Sequence, residues 1–160
     1  MERRELLGLL GAGTAGLLLT RGADVRADGK AGADMSEHVK TIGECAKACN
    51  EAAHHCLTKL AEENTQHREH HAKAHELTMD CQAFCTLTAS LAARSSPLAH
   101  YAHQACAEAC RCCAEECEKG HGEVMKACAQ KCRECERTCK EMCKTMCKTG
   151  ESQTRTSSTR

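Results

Sequence analysis

With 160 residues the chain is long enough for one ordinary domain. Lys+Arg and Asp+Glu both number 22, so the formal charge is zero, which argues against a general nucleic-acid binder and against a basic membrane patch. One Phe, one Tyr and no Trp leave the core without large apolar side chains, and sixteen Cys, a tenth of the chain, are the residues left to fill it.

The first element is not part of the domain. Arg3 and Arg4 precede a Gly- and Ala-softened apolar stretch from Leu6 to Leu19, and Val25-Arg26-Ala27 fits a small-residue cleavage site. The stretch is shorter than the roughly 20 residues of a membrane span. Residues 1–27 therefore read as a twin-arginine-like export signal, although Glu2 and Glu5 flank the pair, and no stable membrane insertion is expected. Export places the protein in the periplasm. Residues 28–35 read as a linker.

From Ser36 to Lys148 the composition favours helix, one proline (Pro97) interrupts it, and no run alternates with period two. The first helix is predicted from Ser36, as its cap, to about Glu63. The second runs from about Gln66 to Ala93. Ser96 caps a third helix with Pro97 at its first helical position, and Gly120-His121-Gly122 ends it after Lys119. The fourth runs from about Glu123 to Lys148, stopped by Gly150, and residues 150–160 form a polar, disordered tail. Four helices joined by short turns make an all-α, antiparallel up-down four-helix bundle over residues 36–149.

The cysteines sit at helical spacing. A helix advances about 100° per residue, which puts Cys45, Cys49 and Cys56 within about 40° of one another, and Cys81 and Cys85 likewise. In "CAEACRCCAEEC", Cys106, Cys110, Cys113 and Cys117 fall within about 60°. In "CAQKCRECERTCKEMCKTMC", Cys128, Cys132, Cys135 and Cys139 do the same, with Cys143 and Cys147 drifting off by about 40° each. Each helix carries one narrow sulfur stripe, and in a bundle that stripe takes the inner seam, giving a cysteine-lined core. Cys112 lies about 130° off its stripe and is left out.

Three uses of such a seam compete. Plain packing suits one or two cysteines but not fifteen in register, and a core of thiols is underpacked unless something occupies the space between them. Disulfides suit an exported protein, but Cβ atoms at i and i+4 are about 5–6 Å apart, whereas a disulfide wants about 3.5–4.5 Å. Only bridges between helices remain open to that disulfide-stabilised structural protein. Soft-metal binding fits best. Two thiolates at i and i+4 converge off the helix surface, where Cu(I), content with few sulfur ligands, can bridge them. A zinc-storing thiolate bundle is the nearest rival, since Zn²⁺ wants four ligands in a tetrahedron.

These Cys-x-x-x-Cys pairs on four helices resemble the bacterial copper storage proteins, cysteine-rich four-helix-bundle copper-binding proteins, and the N-terminus resembles their exported branch. The resemblance covers about Met35 to Lys148. It implies many Cu(I) ions inside a folded bundle, a homotetramer, and copper either supplied to a copper-enzyme recipient or sequestered against toxicity. It carries over to the fifteen stripe cysteines as metal ligands. The pairs are Cys45/Cys49, Cys81/Cys85, Cys106/Cys110, Cys113/Cys117, Cys128/Cys132, Cys135/Cys139 and Cys143/Cys147, with Cys56 bridging to a neighbouring helix.

Other soft ligands gather at the ends of the bundle. His38, His103, Met142 and Met146 share one end in an up-down arrangement and would form the mouth through which Cu(I) passes; the plain alternative is ordinary bundle-end residues. The other end collects His67, His70, His71, His75 and His121 with Met125, either a secondary metal site or a solvated helix start. His54 and His55 fall outside the stripe. Glu51-Ala-Ala-His54 and Glu118-Lys-Gly-His121 match a di-iron motif, but their phase points away from the seam, and no nucleophile–base pair is visible, so no enzyme is expected.

Overall fold

The structure, a computed structural model, describes the backbone of residues 29–62 and 66–156 and the side chains of residues 34–62 and 66–146. Four helices follow one another: α1 (Gly29–Ala61), α2 (Arg68–Ala93), α3 (Ala99–Cys117) and α4 (Glu123–Thr156). The described residues contain no strand. The predicted export signal and the turn at residues 63–65 lie outside them.

Each helix packs on its two ring neighbours, α1 on α2 and α4, and α3 on α2 and α4. Sulfur contacts give the relative directions. Cys45 meets Cys132 while Cys56, further along α1, meets Met125, earlier on α4; Cys81 meets Cys110 while Cys85 meets Cys106. Neighbours are antiparallel, as in an up-down bundle.

A polar bond crosses each seam of the ring. His75 Nδ1 bonds the Ala53 carbonyl 3.0 Å away (α2 to α1), and the Thr88 hydroxyl donates to the Ala102 carbonyl at 3.1 Å (α2 to α3). Arg133 grips both Glu118 oxygens at 2.9 Å just past the end of α3, and Lys131 reaches Glu44 at 2.7 Å (α4 to α1).

The α2–α3 turn follows the local chemistry. Pro97 cannot donate a backbone bond, and the Ser96 hydroxyl accepts the Leu98 N–H at 3.3 Å, capping the turn that opens α3. Between α3 and α4, Gly122 has φ +98° and its carbonyl accepts the Lys126 N–H at 3.3 Å.

Two predicted ends are corrected. α1 begins at Gly29, so the expected linker is helical and Ser36 is an exposed position inside the helix instead of its cap. With no proline between Gly29 and Ser36, nothing breaks the helix there, and a lone Ser is only mildly unfavourable. α4 passes through Gly150 to Thr156, where a tail was expected. A single Gly costs a helix about 1 kcal/mol, which weakens it without stopping it.

The core is built of sulfur and small side chains. Thirteen stripe cysteines have no exposed surface, and Ala52, Ala74, Ala114, Ile42 and Met125 fill the gaps around them. Phe84 and Tyr101 are exposed, so neither aromatic contributes.

Candidate metal centre

The stripe positions predicted from helical phase converge on the bundle axis. Cys45, Cys49, Cys56, Cys81, Cys85, Cys106, Cys110, Cys113, Cys117, Cys128, Cys132, Cys135 and Cys139 are each 0 % exposed. Cys143 is half-buried, 3.9 Å from the His100 carbonyl, and the side chain of Cys147 lies outside the described residues. Cys112 sits off the core as its phase requires, half-buried with its Sγ 3.3 Å from Arg111 and 3.7 Å from Glu108.

Within one helix the sulfurs of i, i+4 pairs stand close: 4.0 Å for Cys106/Cys110, 3.9 Å for Cys113/Cys117 and 4.0 Å for Cys128/Cys132. Contacts between helices are as short, from 3.5 Å for Cys81–Cys110 to 3.9 Å for Cys106–Cys135. The diagonal helices also meet, although among the described residues no Cα of α1 comes within 8 Å of α3, nor any of α2 within 8 Å of α4. Cys45 reaches Cys110 across one diagonal, and Cys81 reaches Cys132 across the other, both at 3.9 Å. A side chain as short as Cys spans the axis only because nothing larger separates the four backbones.

All described cysteines are free thiols, and these separations are about twice a disulfide's roughly 2.05 Å. They match a metal site instead. Around a tetrahedral ion with metal–sulfur bonds of about 2.3 Å, sulfurs stand about 3.8 Å apart. Four sets of four buried sulfurs lie within 4.8 Å of one another: Cys45/Cys81/Cys85/Cys110, Cys45/Cys49/Cys81/Cys132, Cys49/Cys113/Cys128/Cys132 and Cys85/Cys106/Cys110/Cys135. The sets overlap and draw on only ten different thiols, so they form one continuous sulfur column.

Electrostatically the metal-free column is mixed: hydrogen bonds from neighbouring thiols push Cys45, Cys106 and Cys113 down, while other thiols are pushed up. Burial, then the neighbouring Cys128 and Cys113 thiols, push Cys56 up to about 11. Cys110 is pushed upward by its hydrogen bonding with Cys106, Cys132, Cys135 and Cys45, and by burial. Thiols held this high must surrender protons to ligate an ion.

The residues predicted to form a mouth occupy the end where α3 begins. His103 is fully buried, one turn before Cys106, with Nδ1 2.7 Å from the Ala99 carbonyl and Nε2 without a partner. Met142 is buried at 6 % exposure, and half-buried Met146 packs on Leu91, Ala99 and Ala102. His38 is half-buried, 3.6 Å from Asp34. The structure thus sets imidazole and thioether groups beside the column's end, with His103 facing inward most completely.

At the other end His67 and His121 are exposed, while His55, His70, His71 and His75 are half-buried. Burial and the imidazoles of His70 and His55 hold His71 below the usual histidine range. The Glu-x-x-His pairs stay outside: Glu51, His54, Glu118 and His121 are exposed, and Glu118 is tied to Arg133. The buried carboxylates Glu116 and Glu136 are paired with cations instead of facing the column.

Known proteins share this arrangement. A curated relative, the uncharacterized cysteine-rich protein YhjQ of Bacillus subtilis (strain 168), is 34% identical over 92 residues, 58% of this chain and 80% of its own length. The Cu(I)-bound copper storage protein BsCsp3 aligns with TM-score 0.59 and 29% identity over 69% of this chain and 98% of its own. A cytosolic copper storage protein from Streptomyces lividans, solved during copper loading with five coppers, aligns with TM-score 0.61 and 31% identity over 69% of this chain and 92% of its own. The copper storage protein (Csp) family profile matches residues 31–151, which takes in α2, α3, most of α1 and α4 and every cysteine, and the chain belongs to that family.

Proposed function

We propose that the sulfur column stores Cu(I), held by thiolates of the fifteen stripe cysteines. The observation that carries this is the sharing of thiols. Ten buried sulfurs serve four overlapping sets, so at most two sets, such as Cys45/Cys81/Cys85/Cys110 and Cys49/Cys113/Cys128/Cys132, could each give a separate tetrahedral ion its own four ligands. An ion satisfied by two or three shared thiolates fills the same column far more densely, and Cu(I) is that ion. Two relatives whose structures carry copper support the reading.

Anaerobic titration of the reduced protein against a colorimetric Cu(I) chelator tests it, with Zn²⁺ titrated alongside. Several times more Cu(I) than Zn²⁺ is expected. Equal capacities would favour the zinc-storing alternative.

Four finer readings accompany this one. His38, His103, Met142 and Met146 form the mouth, because thioether and imidazole release Cu(I) more readily than paired thiolates; the unpartnered, buried Nε2 of His103 supports this. Residues 1–27 direct export to the periplasm; they lie outside the stretch that matches the family, and no described helix is long and apolar enough to cross a membrane. The bundle assembles as a homotetramer, which the exposed Phe84 and Leu87 on α2, Leu98 just before α3 and Tyr101 on α3 support. The stored copper serves a copper enzyme or is withheld from harm; the pairs that match a di-iron motif are exposed and do not build such a site.

A further inference from the structure

The end of the bundle away from His103 contains a cleft of about 1160 Å³, lined by His55, His67, His70, His71 and His121 and by no cysteine. Three helices bring them there: His55 comes from the last turns of α1, His70 and His71 from the first turn of α2, and Glu116 from the last turn of α3. Three lysines and three glutamates also line it, so the charges balance, and Lys119 and Lys59 are engaged by Glu116 at 2.7 Å and Glu62 at 2.8 Å.

His70 has the wiring of a metal ligand. Its Nδ1 bonds Glu116 Oε1 at 2.8 Å, while its Nε2 is buried with no partner. A carboxylate on one ring nitrogen fixes the tautomer and leaves the other nitrogen's lone pair for an ion. Gly120 lets the ring lie close beside it: a Cβ there would sit 2.8 Å from His70 Nε2. His71 also has a buried, unpartnered nitrogen, Nδ1. The three rings are consecutive neighbours, with centres 5.6 Å apart for His70 and His71 and 6.0 Å for His71 and His55. Two imidazoles on one tetrahedral ion, with metal–nitrogen bonds of about 2.1 Å, put their ring centres about 5.2 Å apart. The observed spacings exceed that by less than about 1 Å; the rings must rotate to bring their nitrogens onto one ion, since among the described residues only cysteine sulfurs gather in sets within 4.8 Å.

We propose that His55, His70 and His71 form a second metal site for a borderline divalent cation of the Zn²⁺ class, with Glu116 orienting His70. Imidazole ligands backed by a carboxylate suit such an ion, and the absence of sulfur from the cleft lining separates it from the soft-ion column. The site therefore fills independently of the copper store.

The test uses the full chain with its thiols already occupied by Cu(I), kept anaerobic and titrated with Co²⁺ and then Zn²⁺. One equivalent of Co²⁺ is expected, with the visible bands of nitrogen and oxygen ligation and without sulfur-to-cobalt charge transfer, and Zn²⁺ displaces it. His70→Gln with His71→Gln lowers the affinity at least tenfold and leaves the Cu(I) capacity unchanged. Glu116→Gln weakens binding by about tenfold or more, as loss of an orienting partner does. His54→Gln, an exposed histidine outside the cleft, changes nothing. If the double variant does not fold by circular dichroism, His55→Gln reads the same ion without touching the Glu116 bond. Absence of Co²⁺ binding, binding that survives these substitutions, or a charge-transfer band reporting thiolate ligands would each overturn the proposal.

Discussion

Cys132→Ala is the most informative single change to the column. Cys132 has sulfur neighbours at 3.7 Å (Cys49), 3.8 Å (Cys45), 3.9 Å (Cys81) and 4.0 Å (Cys128), one reaching it across the bundle diagonal. It belongs to two of the four overlapping sets. If thiolates are shared between ions, its loss removes at least one Cu(I) equivalent and no more than two, because the remaining members of both sets can still pair among themselves. The cost to the fold is smaller. Deleting one buried heavy atom costs about 1 kcal/mol, a few degrees in Tm for a domain of this size. Circular dichroism should therefore show a folded apo-protein, so a lower capacity cannot be ascribed to unfolding. Cys112→Ala is the matched control, since that thiol lies off the core beside Arg111 and Glu108 and should leave the capacity intact. The assay is anaerobic Cu(I) titration of both reduced variants against a colorimetric chelator. Full capacity in Cys132→Ala together with a lost equivalent in Cys112→Ala would refute the placement of the ions in the column.

Other expectations follow from the same geometry. Met142→Ala with Met146→Ala should slow chelator-driven Cu(I) release severalfold without altering capacity, read by stopped-flow absorbance; unchanged rates would remove the mouth. Copper loading should release protons and strengthen with pH: a thiol held up at about 11 is still protonated at pH 8, so affinity rises by up to tenfold per pH unit for each such thiol displaced. The same raised thiol gives the metal-free bundle stability that is complete below about pH 9 and is lost as the pH climbs through about 11, since the unfolded chain ionises first; urea midpoints across that range check the sign. Replacing Phe84 and Tyr101 by Lys should reduce the proposed homotetramer to monomer in size-exclusion chromatography, because both are exposed side chains with no role in the core; an unchanged elution volume would remove that reading.

The fold and the column were largely legible because both rest on one period. Cysteines at every third or fourth residue can share a face only on a helix, and a chain with one Phe and one Tyr has no other candidate core, so stripe and seam followed together. Cys112 was separable by phase alone. What helical phase does not carry is the register of one helix against another. Hence the diagonal contacts Cys45–Cys110 and Cys81–Cys132, which turn separate pairs into a shared column, had no signal in the sequence. The helix ends failed for a different reason. Ser36 and Gly150 are residues that favour boundaries, but each preference is worth about 1 kcal/mol or less, and no proline beside either one reinforces it. His55 was read only as non-core; that it neighbours His71 depends on how α1 meets α2, which again is register.

A store that fills and empties must keep its shape when empty, and the bundle has the means. The four polar ties, His75 to Ala53, Thr88 to Ala102, Arg133 to Glu118 and Lys131 to Glu44, each close a different seam of the ring and none involves a thiol. Alanines such as Ala52, Ala74 and Ala114, with Ile42 and Met125, pack between the sulfurs and fill space that no ion needs. The helices themselves are rich in Ala, Glu and Lys, which favour helix without help. Ions therefore add stability to a formed bundle instead of creating it, which is the opposite of a small metal domain that is unfolded without its metal. The expected result is that reduced, chelator-stripped protein retains most of its far-ultraviolet helical signal, and that copper raises its Tm with little further gain in helix. A stripped protein that is coil, becoming helical only as Cu(I) is added, would show that the ions and not the ring of contacts hold the four helices together.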